Sequence, residues 1–208
     1  MAYFPDRQYP EAGPLAADYF NLYTKGAQTV DQAAISRAGA LLAATAKQGS
    51  MIYSCGNGGS AAIANHLVCD CMKGVRGGST LKPKVHSLSA TIELITAIVN
   101  DIGSEDMFSY QLESLGSAGD TLIAISSSGA SPNIIKALHW AKGNGMTTIA
   151  MTGFSGGDAA KIADVSLHVA IDNYGVVEDV HQSLMHILAQ YLRVSHFEDV
   201  RQLGNVKF

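Results

Sequence analysis

The sequence predicts an α/β protein with a central parallel sheet, helices on both of its faces and a helical extension at the N-terminus. Three observations carry this. Short apolar runs without polar alternation recur at Met51, Val85, Thr121, Thr147 and Val165, as strands covered on both sides require. Helix-like stretches separate them, giving the βαβα order of a parallel sheet. The 208 residues, 47% hydrophobic and 15% charged, suffice to bury one sizeable core in one domain.

Residues 1–14, with Pro5, Pro10, Gly13 and Pro14, read as an irregular lead-in, and residues 15–208 as a single domain. Leu15 to Lys47 is rich in Ala and Leu with no proline, and predicts two helices with a break between Gly26 and Asp31. The stretch MIYSCGNGGSAAIANHLVCDC, residues 51–71, then joins a strand to a glycine-rich turn and a helix. Gly56, Gly58 and Gly59 let backbone N–H groups approach an anion. Asn57 stands in the same turn. Ser60 is placed where the helix begins, adding a hydroxyl to the positive end of the helix dipole. His66 and Asp70, four apart, share one helix face.

The run TLIAIS from Thr121 leads directly into SSSGASPNIIKAL. Ser126, Ser127 and Ser128 form a polar turn, and Ser131 and Pro132 suit the N-cap and first-turn positions of the following helix. Both turns fall at the C-terminal edge of the sheet, where such folds bind ligands, so they face one crevice. The relaxed dinucleotide pattern through Gly56, Gly58 and Ala61 lacks an acidic residue near Ser87 to hold a ribose, and no lysine serves a triphosphate loop. The final helix, predicted over Val176 to Val194, intersperses Glu178, His181, Gln182 and His186 among apolar residues, as candidate ligands or acid–base groups.

Composition narrows the partners. A net charge of −4 with no Lys/Arg run excludes a nucleic acid held by phosphate neutralisation. No run approaches the ~20 apolar residues that span a membrane, and the N-terminus has no signal-peptide pattern, so a cytoplasmic protein is expected. Few charges and a mean hydropathy of +0.12 point to surface hidden between subunits. Cys55, Cys69 and Cys71 lack zinc-site spacing and are expected as reduced thiols.

CGNGGSAA with His66 following, NDIGSEDMFSYQ from Asn100, SSSGAS at 126–131, MTGFSGGDAAKIAD from Met151 and EDVHQSLMHIL at the end together resemble the sugar isomerase (SIS) domain family. Within it, the chain is similar to the phosphoheptose isomerases that act on sedoheptulose 7-phosphate. The resemblance implies that Ser60, Ser126, Ser128 and Ser131 bind phosphate and that Asn57 and Asp101 contact the sugar. Gly58, Gly59, Ser127 and Glu178 complete the expected substrate-binding set. Metal and acid–base roles fall on His66, Asp70, Glu178 and His186, with one Zn²⁺ per subunit, and Asp70 and His186 as the pair moving a proton between C1 and C2 through an enediol. Two positions depart from the family pattern, which has glutamate at Asp70 and glutamine at Glu178; the shorter Asp70 withdraws its carboxylate by ~1 Å. The resemblance also implies a homotetramer. Glu178 and His186 lie ~12 Å apart along one helix, so sites shared between chains are expected. A different class within the same fold is a non-catalytic protein that binds a partner, as relatives associated with a replication initiator do, or a sugar-phosphate sensor.

Overall fold

The computed structural model describes residues 3–205 and 207–208; Met1 and Ala2 of the lead-in lie outside the described residues. Two helices, α1 (Ala12–Thr29) and α2 (Gln32–Gln48), precede β1 (Met51–Gly56). Then follow α3 (Gly59–Cys69), a π-helical segment (Asp70–Val75), β2 (Lys84–Ser87), α4 (Ile92–Asp101) and α5 (Ser109–Leu115). The chain continues through β3 (Thr121–Ser126), α6 (Pro132–Gly143), β4 (Thr147–Thr152), the short α7 (Ala159–Ile162), β5 (Val165–His168) and α8 (Tyr174–Ser195). All five predicted strands form. They make one sheet in the order β2-β1-β3-β4-β5, every pairing parallel.

β3 lies at the centre and is buried along its whole length. Its side chains alternate between two cores. Ile123 and Ile125 join Leu42, Ile63, Leu67, Val177 and Leu184 from α2, α3 and α8. Leu122 and Ala124 join Phe108, Leu112, Ile134 and Leu138 on the opposite face. This two-sided cover is why the strand sequences show no polar alternation.

Three boundaries differ from the sequence reading. α1 begins at Ala12, inside the expected lead-in. Gly13 and Pro14 fall in its first turn, where backbone N–H groups have no intrahelical partner and proline is tolerated. The helix also runs through Gly26, breaking only at Val30 and Asp31. Gly26 is there for packing: a Cβ would lie 3.1 Å from Ile171 Cγ1. Finally, α3 ends at Cys69, and Asp70 opens the π-helical segment instead of continuing the α-helix. The thiols are free as expected; Cys55 and Cys71 are buried and Cys69 is exposed. Burial pushes the Cys71 thiol up to about 12.

Candidate functional site

β1 and β3 are neighbours, which brings the loops that leave their C-terminal ends side by side. In the first loop Gly56 is obligatory, because a Cβ would lie 2.6 Å from the Ser60 backbone. Gly58 caps α3 with φ of 53°. Ser60 is therefore one residue inside the helix and not at its start, and it is buried. In the second loop Ser131 and Pro132 take the predicted cap and first-turn positions. The Ser131 hydroxyl makes no capping bond; its Oγ lies 3.3 Å from Ser126 Oγ. The two loops are tied by a reciprocal amide pair. Asn57 Nδ2 donates to Asn133 Oδ1 at 3.0 Å, and Asn133 Nδ2 donates to Asn57 Oδ1 at 2.9 Å.

Between the loops is a cavity of about 120 Å³ lined by Asn57, Ser60, Ser126, Ser127, Ser128, Ser131, Tyr174 and Glu178, with Ile125 at its floor. Two helix N-termini and five serine hydroxyls surround it, and none of the lining residues is Lys or Arg. Ser127 Oγ is buried with no partner among the described residues. An unmet buried hydroxyl costs about 1–3 kcal/mol, a cost that an anion accepting from it removes. Burial, and then the neighbouring Asp179, raise the Glu178 carboxyl above its ordinary value.

A third loop holds the serine turn in place. Gly153 N donates to Ser127 O at 2.8 Å, and Ala159 N donates to Gly129 O at 2.9 Å. Gly129, with φ of 65°, approaches Gly156 so closely that a Cβ would sit 2.0 Å from Gly156 O. Backbone packs on backbone here, and only glycine permits it.

Farther along α3 a second group forms. His66 Nε2 lies 3.3 Å from Asp70 Oδ1, and His186 Nε2 of α8 lies 3.6 Å from Asp70 Oδ2. The Asp70 side chain is 13% exposed, whereas His66 and His186 are 45% and 40% exposed. Gln182 braces both imidazoles, its Nε2 lying 3.2 Å from His66 Nδ1 and 2.8 Å from His186 Nε2. One ligand atom from each of His66, Asp70 and His186 falls within 4.8 Å of the others. Atoms about 2 Å from a tetrahedral ion stand roughly 3.3 Å apart, so the spacing and the two-imidazole, one-carboxylate set both fit Zn²⁺.

Two expected site residues stand outside this group. Glu178 sits at the serine cavity, its Oε2 2.3 Å from where a Cβ of Gly59 would be. Two helical turns separate it from His186 on α8, so within one chain it does not join His66 and Asp70. Asp101 is exposed at the end of α4 and accepts from Asn100 Nδ2 at 2.6 Å. The sequence reading also missed participants: Gln182 was a candidate ligand or acid–base group of the last helix and not a brace between two imidazoles, and Asn133 and Tyr174 were not singled out. Each carries an ordinary helical residue's signal and acquires its place only through packing. His181, facing the core from α8, is fully buried, and its Nε2 donates to Thr152 O at 3.1 Å. Burial pushes its pKa down to about 4.

Comparison with known proteins agrees with this geometry. Residues 17–153 match the SIS domain family. A phosphoheptose isomerase of Nitratidesulfovibrio vulgaris (strain Miyazaki F) is 39% identical over 164 residues, covering 78% of this chain and 77% of the relative. One of Sulfurimonas denitrificans is 42% identical over 146 residues, covering 69% and 73%. The solved phosphoheptose isomerase of Neisseria gonorrhoeae superposes with a TM-score of 0.79 at 30% identity, covering 87% of this chain and 97% of that one. The Francisella tularensis structure gives 0.80 at 27% identity, covering 88% and 96%.

Proposed function

The chain belongs to the SIS domain family, and from that premise we propose that it is an aldose–ketose isomerase interconverting sedoheptulose 7-phosphate and D-glycero-D-manno-heptose 7-phosphate. The observation that carries the reading is the alignment of two sites along the same pair of helices. Ser60 at the N-terminus of α3 faces the serine cavity, and His66, six residues on, is ~9 Å farther along the axis. An extended sugar phosphate anchored by its phosphoryl group has room to present its carbonyl end to the His66–Asp70–His186 group.

Ser60, Ser126, Ser127, Ser128 and Ser131, with the N–H groups around Gly58 and Gly59, hold the phosphate as hydrogen-bond donors. Asn57, Glu178 and Asp101 contact the sugar. One of Asp70 and His186 takes the C1 proton of the ketose, leaving a 1,2-enediol, and the proton returns at C2 as the other moves the hydroxyl proton from O1 to O2. A Zn²⁺, one per subunit, would stand in for that second group, held by His66 with whichever of Asp70 and His186 does not take the carbon proton, and would stabilise negative charge on the substrate oxygens. The protein works as a cytoplasmic homotetramer, each chain forming one domain that takes in α1 from Ala12 onward. Ile92, Leu94 and Val99 on α4 and Phe20, Ile187 and Tyr191 on α1 and α8 are exposed, and they support apolar subunit contacts. Asp101 and Glu178, both apart from the histidine pair in one chain, then complete sites in a neighbour.

Incubation with sedoheptulose 7-phosphate, followed by NMR for the aldose, tests the activity; no aldose from metal-replete protein overturns it. Subunit sharing is tested by co-assembling Glu178→Ala and His186→Ala proteins, each inactive alone. Mixed oligomers should regain part of the activity, and none regained removes the shared-site arrangement.

A further inference from the structure

The wall of the serine cavity that closes it toward solvent is aromatic, and it is held in an unusual way. Tyr174, the first residue of α8, lines the cavity while remaining 61% exposed. Its ring meets the Phe154 ring edge to face, with centroids 4.7 Å apart and planes at 61°. Phe154 lies in the loop that buttresses the serine turn, and it has φ of 49°, the one non-glycine residue with positive φ among the described residues. That loop places glycine at two left-handed positions, 156 and 157, yet a third carries a bulky ring, a strained arrangement that persists where the surroundings impose it. Phe154 N donates to Ile171 O at 3.1 Å, fixing the ring's origin. Tyr174 is the one aromatic residue among those lining the cavity, so carbon next to a bound phosphoryl group has an aromatic face to lie on there.

We propose that Tyr174, braced by Phe154, is a specificity-determining residue: its ring is the surface on which the carbon chain next to the phosphate lies, so that the site prefers phosphate esters of polyhydroxylated carbon chains to bare phosphate. The inference rests on the reading of the serine cavity as the phosphate subsite. Serine hydroxyls and helix N-termini recognise any phosphate alike, whereas an aromatic ring adds contact only to ligands with C–H surface beyond it.

Calorimetric titration with sedoheptulose 7-phosphate and, separately, with inorganic phosphate tests this without requiring turnover. Tyr174→Ala should weaken the sugar phosphate by about five- to tenfold and leave inorganic phosphate unchanged. Tyr174→Phe, which keeps the ring, should bind both as the unsubstituted protein does. Phe154→Ala should weaken the sugar phosphate in the same direction by less. An unchanged sugar-phosphate affinity in Tyr174→Ala, or a parallel loss of both ligands, overturns the assignment. If the unsubstituted protein binds both ligands but produces no aldose, the isomerase reading fails while this comparison still decides the role of Tyr174. If it binds neither, the phosphate subsite itself is wrong and the assignment falls with it.

Discussion

The serine cavity and the His66–Asp70–His186 group are built from opposite materials. The cavity is made of turns whose shape is set by backbone: glycines at 56, 58 and 129, an asparagine pair across two loops and a third loop packed at backbone distance. The other group is three side chains on three elements, with half-exposed imidazoles steadied by one glutamine amide. Rigid backbone suits a constant task, gripping a phosphate. Side chains near solvent suit a task in which protons move and partners change.

If this division is real, substitutions in the two regions should fail differently. The largest effect is expected from Asp70→Asn or His186→Ala, which should lower kcat about 10²- to 10⁴-fold while inhibition by inorganic phosphate is unchanged; equal loss of phosphate affinity would erase the distinction. Ser128→Ala and Ser60→Ala should act the other way. Each removes a bond to a charged group worth about 1.5–3 kcal/mol, raising KM about ten- to hundredfold with kcat little changed, and steady-state kinetics separate the two. Gly129→Ala forces a Cβ against Gly156 O at a left-handed position and should cost about 1–3 kcal/mol of stability. In thermal melts its Tm should drop by several degrees, and its residual defect should lie in phosphate affinity.

The smallest effect concerns the floor beneath both regions. Burial holds His181 neutral in the fold, its pKa pushed down to about 4 from the ordinary 6.5. Between those values the unfolded chain binds the extra proton, so this residue costs nothing above pH 6.5 and destabilises progressively as pH falls toward 4. From pH 6.5 to 5.5 the loss should be about 1 kcal/mol, seen in denaturant midpoints and absent in His181→Phe. An equal acid dependence in that variant would place the effect elsewhere.

The same contrast explains what could be read from the sequence. All five strands, both polar turns at the sheet edge and the Ser131–Pro132 helix start were legible, because strand burial and turn chemistry are written locally. The separation of Glu178 from His186 followed from their spacing on one helix. What could not be read depends on neighbours distant in the chain. Gly26 looked like a helix break and is a packing contact with Ile171. Pro14 was read as part of an irregular lead-in and sits where a helix accepts it. Asp70 was placed on α3 but opens a π-helical segment, a change that no periodicity announces. Gln182, Asn133 and Tyr174 resemble any helical residues until α3, α6 and α8 are packed.

The amide pair between Asn57 and Asn133 joins residues 76 positions apart, and the Asp120 carboxylate that receives Met51 N spans 69. With every strand pairing parallel, no hairpin offers an early foothold, and each of these closures costs chain entropy before any contact rewards it. High contact order of this kind slows folding. On a ribosome the phosphate cavity cannot exist until α6 has emerged, and its last wall, Tyr174, arrives later still. A nascent chain therefore exposes the apolar strands β1 and β3 well before it can recognise any ligand, so ligand in the surrounding solution can reward only a chain that is nearly complete.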